Sequence, residues 1–154
     1  MPEGNTREFP CFAVDTSFIA AYVLNGYFDD EADSCVKDIE YILENNGQIY
    51  VTQLFWFEIE NVLLQKTKNS KNGLCMLSKS DAMDIIYDLQ QLPIYTDLQP
   101  DGEIRQRIFD IAAEHNLSYY DASYLELSRR YGIPLKTYDS DLLRATSTLS
   151  SAHE

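Results

Sequence analysis

The sequence predicts an α/β fold in three layers, a central and mostly parallel sheet of about four strands with helices on both faces. Three observations predict it. Four short segments rich in β-branched and aromatic residues, at 12–14, 48–52, 92–95 and 133–138, read as strands. More than thirty residues separate each from the next, and those stretches carry helical periodicity. Connections of that length are crossovers, which join parallel strands and place helices over the sheet.

Taken in order, Phe12, Ala13 and Val14 form a short buried strand, and Thr16 or Ser17 is placed to cap the helix after it. That helix carries Phe18, Ala21, Tyr22 and Leu24 and breaks at Asn25 and Gly26. A second helix over 31–45 sets Cys35, Ile39, Ile42 and Leu43 on one side, with Gly47 as its stop. The strand at 48–52 leads into a helix from about 55 to 66. A polar connector at 66–73 follows, then a helix over 80–91 opened by the capping-box spacing of Ser78 and Asp81. After the third strand, residues 102–114 place Ile104, Ile108, Ile111 and Ala112 at core spacing. The helix at 121–130 ends in the cationic turn Arg129, Arg130 and stops at Gly132. Asp139 or Ser140 caps a last short helix through Leu142 and Leu143, and a loose tail is expected from Ser147.

With 154 residues, 45% hydrophobic and 24% charged, the chain is expected to be one domain over 11–145. An N-terminal tail at 1–10 and a polar tail at 146–154 flank it. The first ten residues lack the cationic-then-apolar pattern of a secretory leader, and no apolar run nears the ~20 residues of a membrane span. Cys11, Cys35 and Cys75 are odd in number and scattered, which fits a reducing cytoplasm and suits neither a disulfide framework nor a zinc knuckle. Only His115 and His153 are available, which excludes histidine-rich metal motifs. The net charge of −13 argues against broad electrostatic attraction of nucleic acid. It is compatible with a cation-binding cleft or a basic partner.

Four acids fall at the edges of hydrophobic elements: Asp15, Glu58, Asp121 and Asp139. In an open parallel sheet, sites form beyond the carboxyl ends of the strands. Asp15 and Asp139 follow strands one and four. Asp121 is expected at a helix N-terminus, and Glu58 in the first turn of the helix after strand two. All four can therefore meet on one rim. Gathered carboxylates repel one another, and a divalent cation is the usual remedy. The competing reading makes Asp121 and Asp139 simple helix caps.

Four segments in order resemble the PIN-domain nucleases, and within them the VapC-like toxins of toxin–antitoxin pairs. Val14 to Ser17 is similar to the family's opening aspartate motif, and Glu58 to Asn61 to its Glu-x-x-Asn element. Tyr120 to Leu127 is similar to its Tyr-Asp-Ala-x-Tyr-Leu-x-Leu stretch, and Leu135 to Leu142 to its closing Leu-x-Thr-x-Asp-x-x-Leu segment. The resemblance spans about 12–145. It implies an endoribonuclease dependent on Mg²⁺ or Mn²⁺, a homodimer, and inhibition by a small cognate antitoxin with a basic or amphipathic segment.

Phosphodiester hydrolysis needs an activated water and stabilised phosphoryl oxygens, both of which divalent ions supply. Asp15 and Asp121 are assigned as direct ligands, Asp139 to a second ion or a coordinated water, and Glu58 to binding through water or orienting the nucleophile. Asn61, one turn after Glu58, is placed to hydrogen-bond a carboxylate. Thr16, Ser17 and Thr137 are candidate hydroxyl donors to the acids. Asp141 is either an auxiliary ligand or a first-turn acid facing the helix dipole. Lys66, Lys68, Lys71 and Lys79 lie in an acid-free stretch that could track single-stranded RNA, or simply form a solvated connector. Three rivals remain: a non-catalytic acidic groove for a basic peptide, a Mg²⁺ phosphatase with an aspartyl nucleophile, and a PIN nuclease in RNA or DNA processing.

Overall fold

The computed structural model describes residues 9–25, 33–68 and 73–150, with the side chains of 33 and 148–150 excepted. Its elements are β1 (Cys11–Val14), α1 (Thr16–Val23), α2 (Asp33–Glu44), β2 (Gln48–Val51), α3 (Leu54–Thr67) and α4 (Lys79–Gln91). They continue with β3 (Ile94–Thr96), α5 (Gly102–His115), α6 (Tyr119–Tyr131), β4 (Leu135–Lys136) and α7 (Ser140–Ser150). The four strands form one sheet in the order β3-β2-β1-β4, with every neighbouring pair parallel. The expected three-layer α/β/α architecture is present.

Strand periodicity sorts the two layers. Phe12, Val14, Ile49 and Val51 point one way, into a core with Phe18 and Ile19 of α1, Cys35, Ile39 and Ile42 of α2, and Phe55 and Ile59 of α3. The intervening Tyr50 and Tyr95 point the other way and pack against Tyr131 of α6, the first tilted and the second edge-on. On α6's outer side, Ala122 and Leu125 pack with Ile108 and Ile111 of α5 and Leu142 and Ala145 of α7. With β1 interior to the sheet and β4 at its edge, the carboxyl ends of both strands open on the same rim.

Several local expectations change. Asp15, not Thr16 or Ser17, caps α1, accepting a hydrogen bond from the Phe18 amide. The chain reverses after α2 at Asn46, which takes the left-handed conformation at φ 53°. Gly47 serves a different need: a Cβ there would stand 2.3 Å from the Pro10 carbonyl oxygen, which bonds the Gln48 amide at 3.0 Å. The fourth strand is two residues long, because beyond Lys136 the backbone turns to side-chain partners. The Tyr138 amide bonds Ser17 Oγ, and the Asp139 amide bonds Thr137 Oγ1. Of the loose tail expected from Ser147, residues 147–150 instead continue α7, where Thr146 and Ser147 back-bond to the carbonyls of Leu143 and Arg144. Residues 151–154 lie outside the described residues, as do 1–8 of the expected N-terminal tail. Gly26 and Lys71 lie outside the described residues. No helix among the described residues is long and apolar enough to cross a membrane.

Candidate active site

Asp15 leaves β1 with its carboxylate buried, 5% exposed. Burial without compensation is costly, and three donors compensate it. Ser17 Oγ donates to Oδ1 at 2.7 Å, the Phe18 amide to the same oxygen at 3.2 Å, and Thr137 Oγ1 to Oδ2 at 2.7 Å. Those bonds lower the pKa, yet desolvation outweighs them, and Asp139 adds to the rise, so the pKa of Asp15 lies above the ordinary aspartate value. A carboxylate offers about four acceptor positions. With three filled by this chain, one remains directed elsewhere.

Thr137 also links two acids. Its hydroxyl donates to Asp15 and accepts from the Asp139 amide at 2.9 Å. Asp139 caps α7, its Oδ1 accepting the amides of Asp141 and Leu142 at 3.0 Å each. For Asp139 the capping reading is therefore correct, and it coexists with a place at the rim. For Asp121 it is not: Ser118 is the cap of α6, and its hydroxyl accepts the Asp121 amide. Asp121 sits in the first turn, where the helix dipole favours an acid. Its pKa is nonetheless raised, first by burial, then by the charge of Asp139, and further by Asp15 and Glu58, against the lowering bond with Ser118. Through Thr137 the elements of Asp15 and Asp139, far apart in sequence, meet at one place, and the charges of both bear on Asp121.

Glu58 lies in the second turn of α3, because that helix starts at Leu54, earlier than expected. Its Oε1 accepts a 2.7 Å hydrogen bond from the phenol of Tyr124 on α6. The phenol is also 3.3 Å from Thr16 Oγ1. Asn61 does not support Glu58: it is exposed, and its side-chain oxygen accepts from Gln65 at 3.4 Å. Asp141 turns its carboxylate to Arg144 at 3.3 Å, the solvated first-turn alternative. Lys66 stands at the last turn of α3, Lys68 just beyond it and Lys79 at the start of α4. Eight residues of helix separate Glu58 from Lys66, about 12 Å along the axis of α3. Tyr124 is the residue the sequence reading missed. Its signal was the three-residue spacing from Asp121, which puts both on one helical face.

Among the described residues no three His, Cys, Asp or Glu side chains stand close enough to grip an ion between them. The donor set nevertheless suits a hard divalent cation: all oxygen, with two acids whose charge is opposed by burial and by their neighbours. Mg²⁺ keeps several waters and takes only one or two carboxylates directly. The residues therefore fit an ion held partly through water.

The fold that positions this rim is shared with known proteins. The PIN domain family model matches residues 12–147, and the chain belongs to the PIN domain family. Within it, the chain is 25% identical over 129 residues to Ribonuclease VapC3 of Pyrobaculum aerophilum, covering 84% of this chain and 89% of that one. Two solved structures share the fold. PAE2754 of Pyrobaculum aerophilum superposes with TM-score 0.58 at 20% identity, over 88% of this chain and 84% of that one. VapC20 of Mycobacterium tuberculosis, described as a sarcin-ricin loop cleaving toxin, gives TM-score 0.59 at 16% identity, over 87% of this chain and 94% of that one.

Proposed function

We propose that this chain is a Mg²⁺- or Mn²⁺-dependent endoribonuclease and the toxin of a toxin–antitoxin pair. The observation that carries the reading is Asp121, a half-buried carboxylate whose pKa is raised first by burial and then by the charges of Asp139, Asp15 and Glu58. A site arranged that way is poised to accept positive charge. The name of the VapC3 relative supports ribonuclease chemistry, and the description of VapC20 supports a toxin.

Asp15 and Asp121 would hold the cation, with Asp139 and Glu58 reached through water. When bound, the cation supplies Lewis acidity toward the phosphoryl oxygens and makes a coordinated water more acidic. Asp15 contributes rigidity, since Ser17, the Phe18 amide and Thr137 fix its orientation before any ligand arrives. Glu58 keeps Oε2 clear of hydrogen bonds from the described residues while Oε1 is held by Tyr124, so it can accept a proton or orient water. The protein works as a homodimer, and its antitoxin presents a basic or amphipathic segment that competes for the acids.

The test is single-stranded RNA incubated with purified protein in Mg²⁺ or Mn²⁺, beside EDTA and Asp15→Asn controls. Cleavage abolished in both controls is expected. Cleavage surviving Asp15→Asn would assign the activity to a contaminant and favour the peptide-binding groove.

A further inference from the structure

The geometry points to Tyr124 as the positioning residue for Glu58, a phenol seated in the main core that holds one acid of the rim in its working orientation. This rests on the reading of the rim as a metal-nuclease site. The ring of Tyr124 is 1% exposed and belongs to the core cluster with Phe18, Ile19, Phe55 and Ile59. It therefore has no freedom of its own. Only its hydroxyl reaches the site, donating to Glu58 Oε1 at 2.7 Å and meeting Thr16 Oγ1 at 3.3 Å. The Thr52 hydroxyl, buried at the end of β2, lies near the same phenol but lacks the geometry of a hydrogen bond with any described residue.

That one oxygen ties together the three helices that carry or adjoin three of the four acids. Thr16 on α1 directly follows Asp15, Glu58 is on α3, and Tyr124 is three residues after Asp121 on α6. Glu58 needs such a tie more than its neighbours do. Asp15 has three donors and Asp139 two backbone amides. Glu58 has the longer side chain, with more rotamer freedom to lose, and Tyr124 is its donor. Burial and the nearby Glu58 charge hold the phenol's pKa well above that of an ordinary tyrosine, so it remains a donor throughout the working range.

The test is Tyr124→Phe, which keeps the ring in the core and deletes the oxygen. The first readout needs no metal: ¹³C relaxation of the Glu58 side chain in EDTA, ordered in the wild type and averaged over rotamers in the variant. The second is Mn²⁺ binding by calorimetry, expected to weaken about ten- to a hundredfold, as for partners that orient a ligand. In RNA cleavage kcat falls by a similar factor while KM is unchanged, and adding Tyr124→Phe to Glu58→Gln costs nothing more. A Glu58 side chain equally ordered in both proteins would overturn the proposal, as would losses that multiply in the double variant. If the wild type binds no Mn²⁺, the reading of the rim fails, and the relaxation measurement still decides the role of Tyr124.

Discussion

Replacing Thr137 with valine isolates the hydroxyl that joins Asp15 to Asp139. Valine keeps the branched Cβ and nearly the same volume, so the buried position, 7% exposed, is left without a cavity. What is lost is a 2.7 Å hydrogen bond to a buried carboxylate and the acceptor of the Asp139 amide. A bond to a charged group contributes about 1.5–3 kcal/mol, and the half-buried amide, open to replacement by water, adds about 1 kcal/mol at most. Together these predict a loss of about 2–4 kcal/mol, or about 5–12 °C in Tm for a chain of this size. Thermal unfolding in EDTA at pH 7.5 measures it. The pH dependence is the sharper part. The folded pKa of Asp15 is already raised by burial, and removing Thr137, which lowers it, raises it further. A carboxyl with a raised folded pKa contributes stability that is present below the unfolded pKa and lost as pH rises through the folded one. Both proteins therefore gain from protonating Asp15, and the variant gains more. Its deficit shrinks as pH falls toward 4. A deficit under about 1 kcal/mol, or one equal at pH 4 and pH 7.5, would refute the claim that Thr137 serves the ionised form.

Other perturbations follow from the same structure. Asp121→Asn removes a group whose folded pKa burial and neighbouring acids raise, so the metal-free variant is more stable than the wild type at pH 8. The gain fades as pH falls through the raised pKa, and RNA cleavage disappears; calorimetric Tm across pH and a gel assay check the two halves. Arg130→Met strands Asp97, 7% exposed, and leaves Glu126, 2% exposed, with Arg107 at 3.4 Å in place of the 2.8 Å bond from Arg130 Nε. Equilibrium urea denaturation should show a loss of about 3–5 kcal/mol. Gly47→Ala drives a methyl against the Pro10 carbonyl and should cost about 1–3 kcal/mol by the same method, with the midpoint moving and the slope unchanged.

The layers were readable because they rest on periodicity. Phe12 and Val14 alternate with Ala13, Ile49 and Val51 with Tyr50, and the crossovers between them are too long for hairpins. The convergence of the acids followed from topology, since parallel strands deliver their carboxyl ends to one edge. What escaped were partnerships set by three-dimensional contact. That Asp15 caps α1, that Thr137 bridges two acids, and that Tyr124 rather than Asn61 holds Glu58 are facts about side chains far apart in sequence. Hydroxyls near acids looked like caps, and Ser78 is one, but no spacing rule chooses among Thr16, Ser17 and Asp15. The lysines at 66, 68 and 79 are spread over the end of α3, the residue after it and the start of α4, so their clustering in sequence does not by itself define a surface.

The bond between Thr137 and Asp15 spans 122 residues. During synthesis, β1, β2 and β3 and the helices between them emerge first and can begin to pack, leaving β1 with one edge bare. Only when residues 135–139 leave the ribosome does β4 cover that edge and Thr137 reach an aspartate made 122 residues earlier. The acidic rim is thus completed only after the first three strands have been made. A chain cut just before β4 keeps three of the four strands but lacks both the cover for the open edge of β1 and the hydroxyl that fixes Asp15.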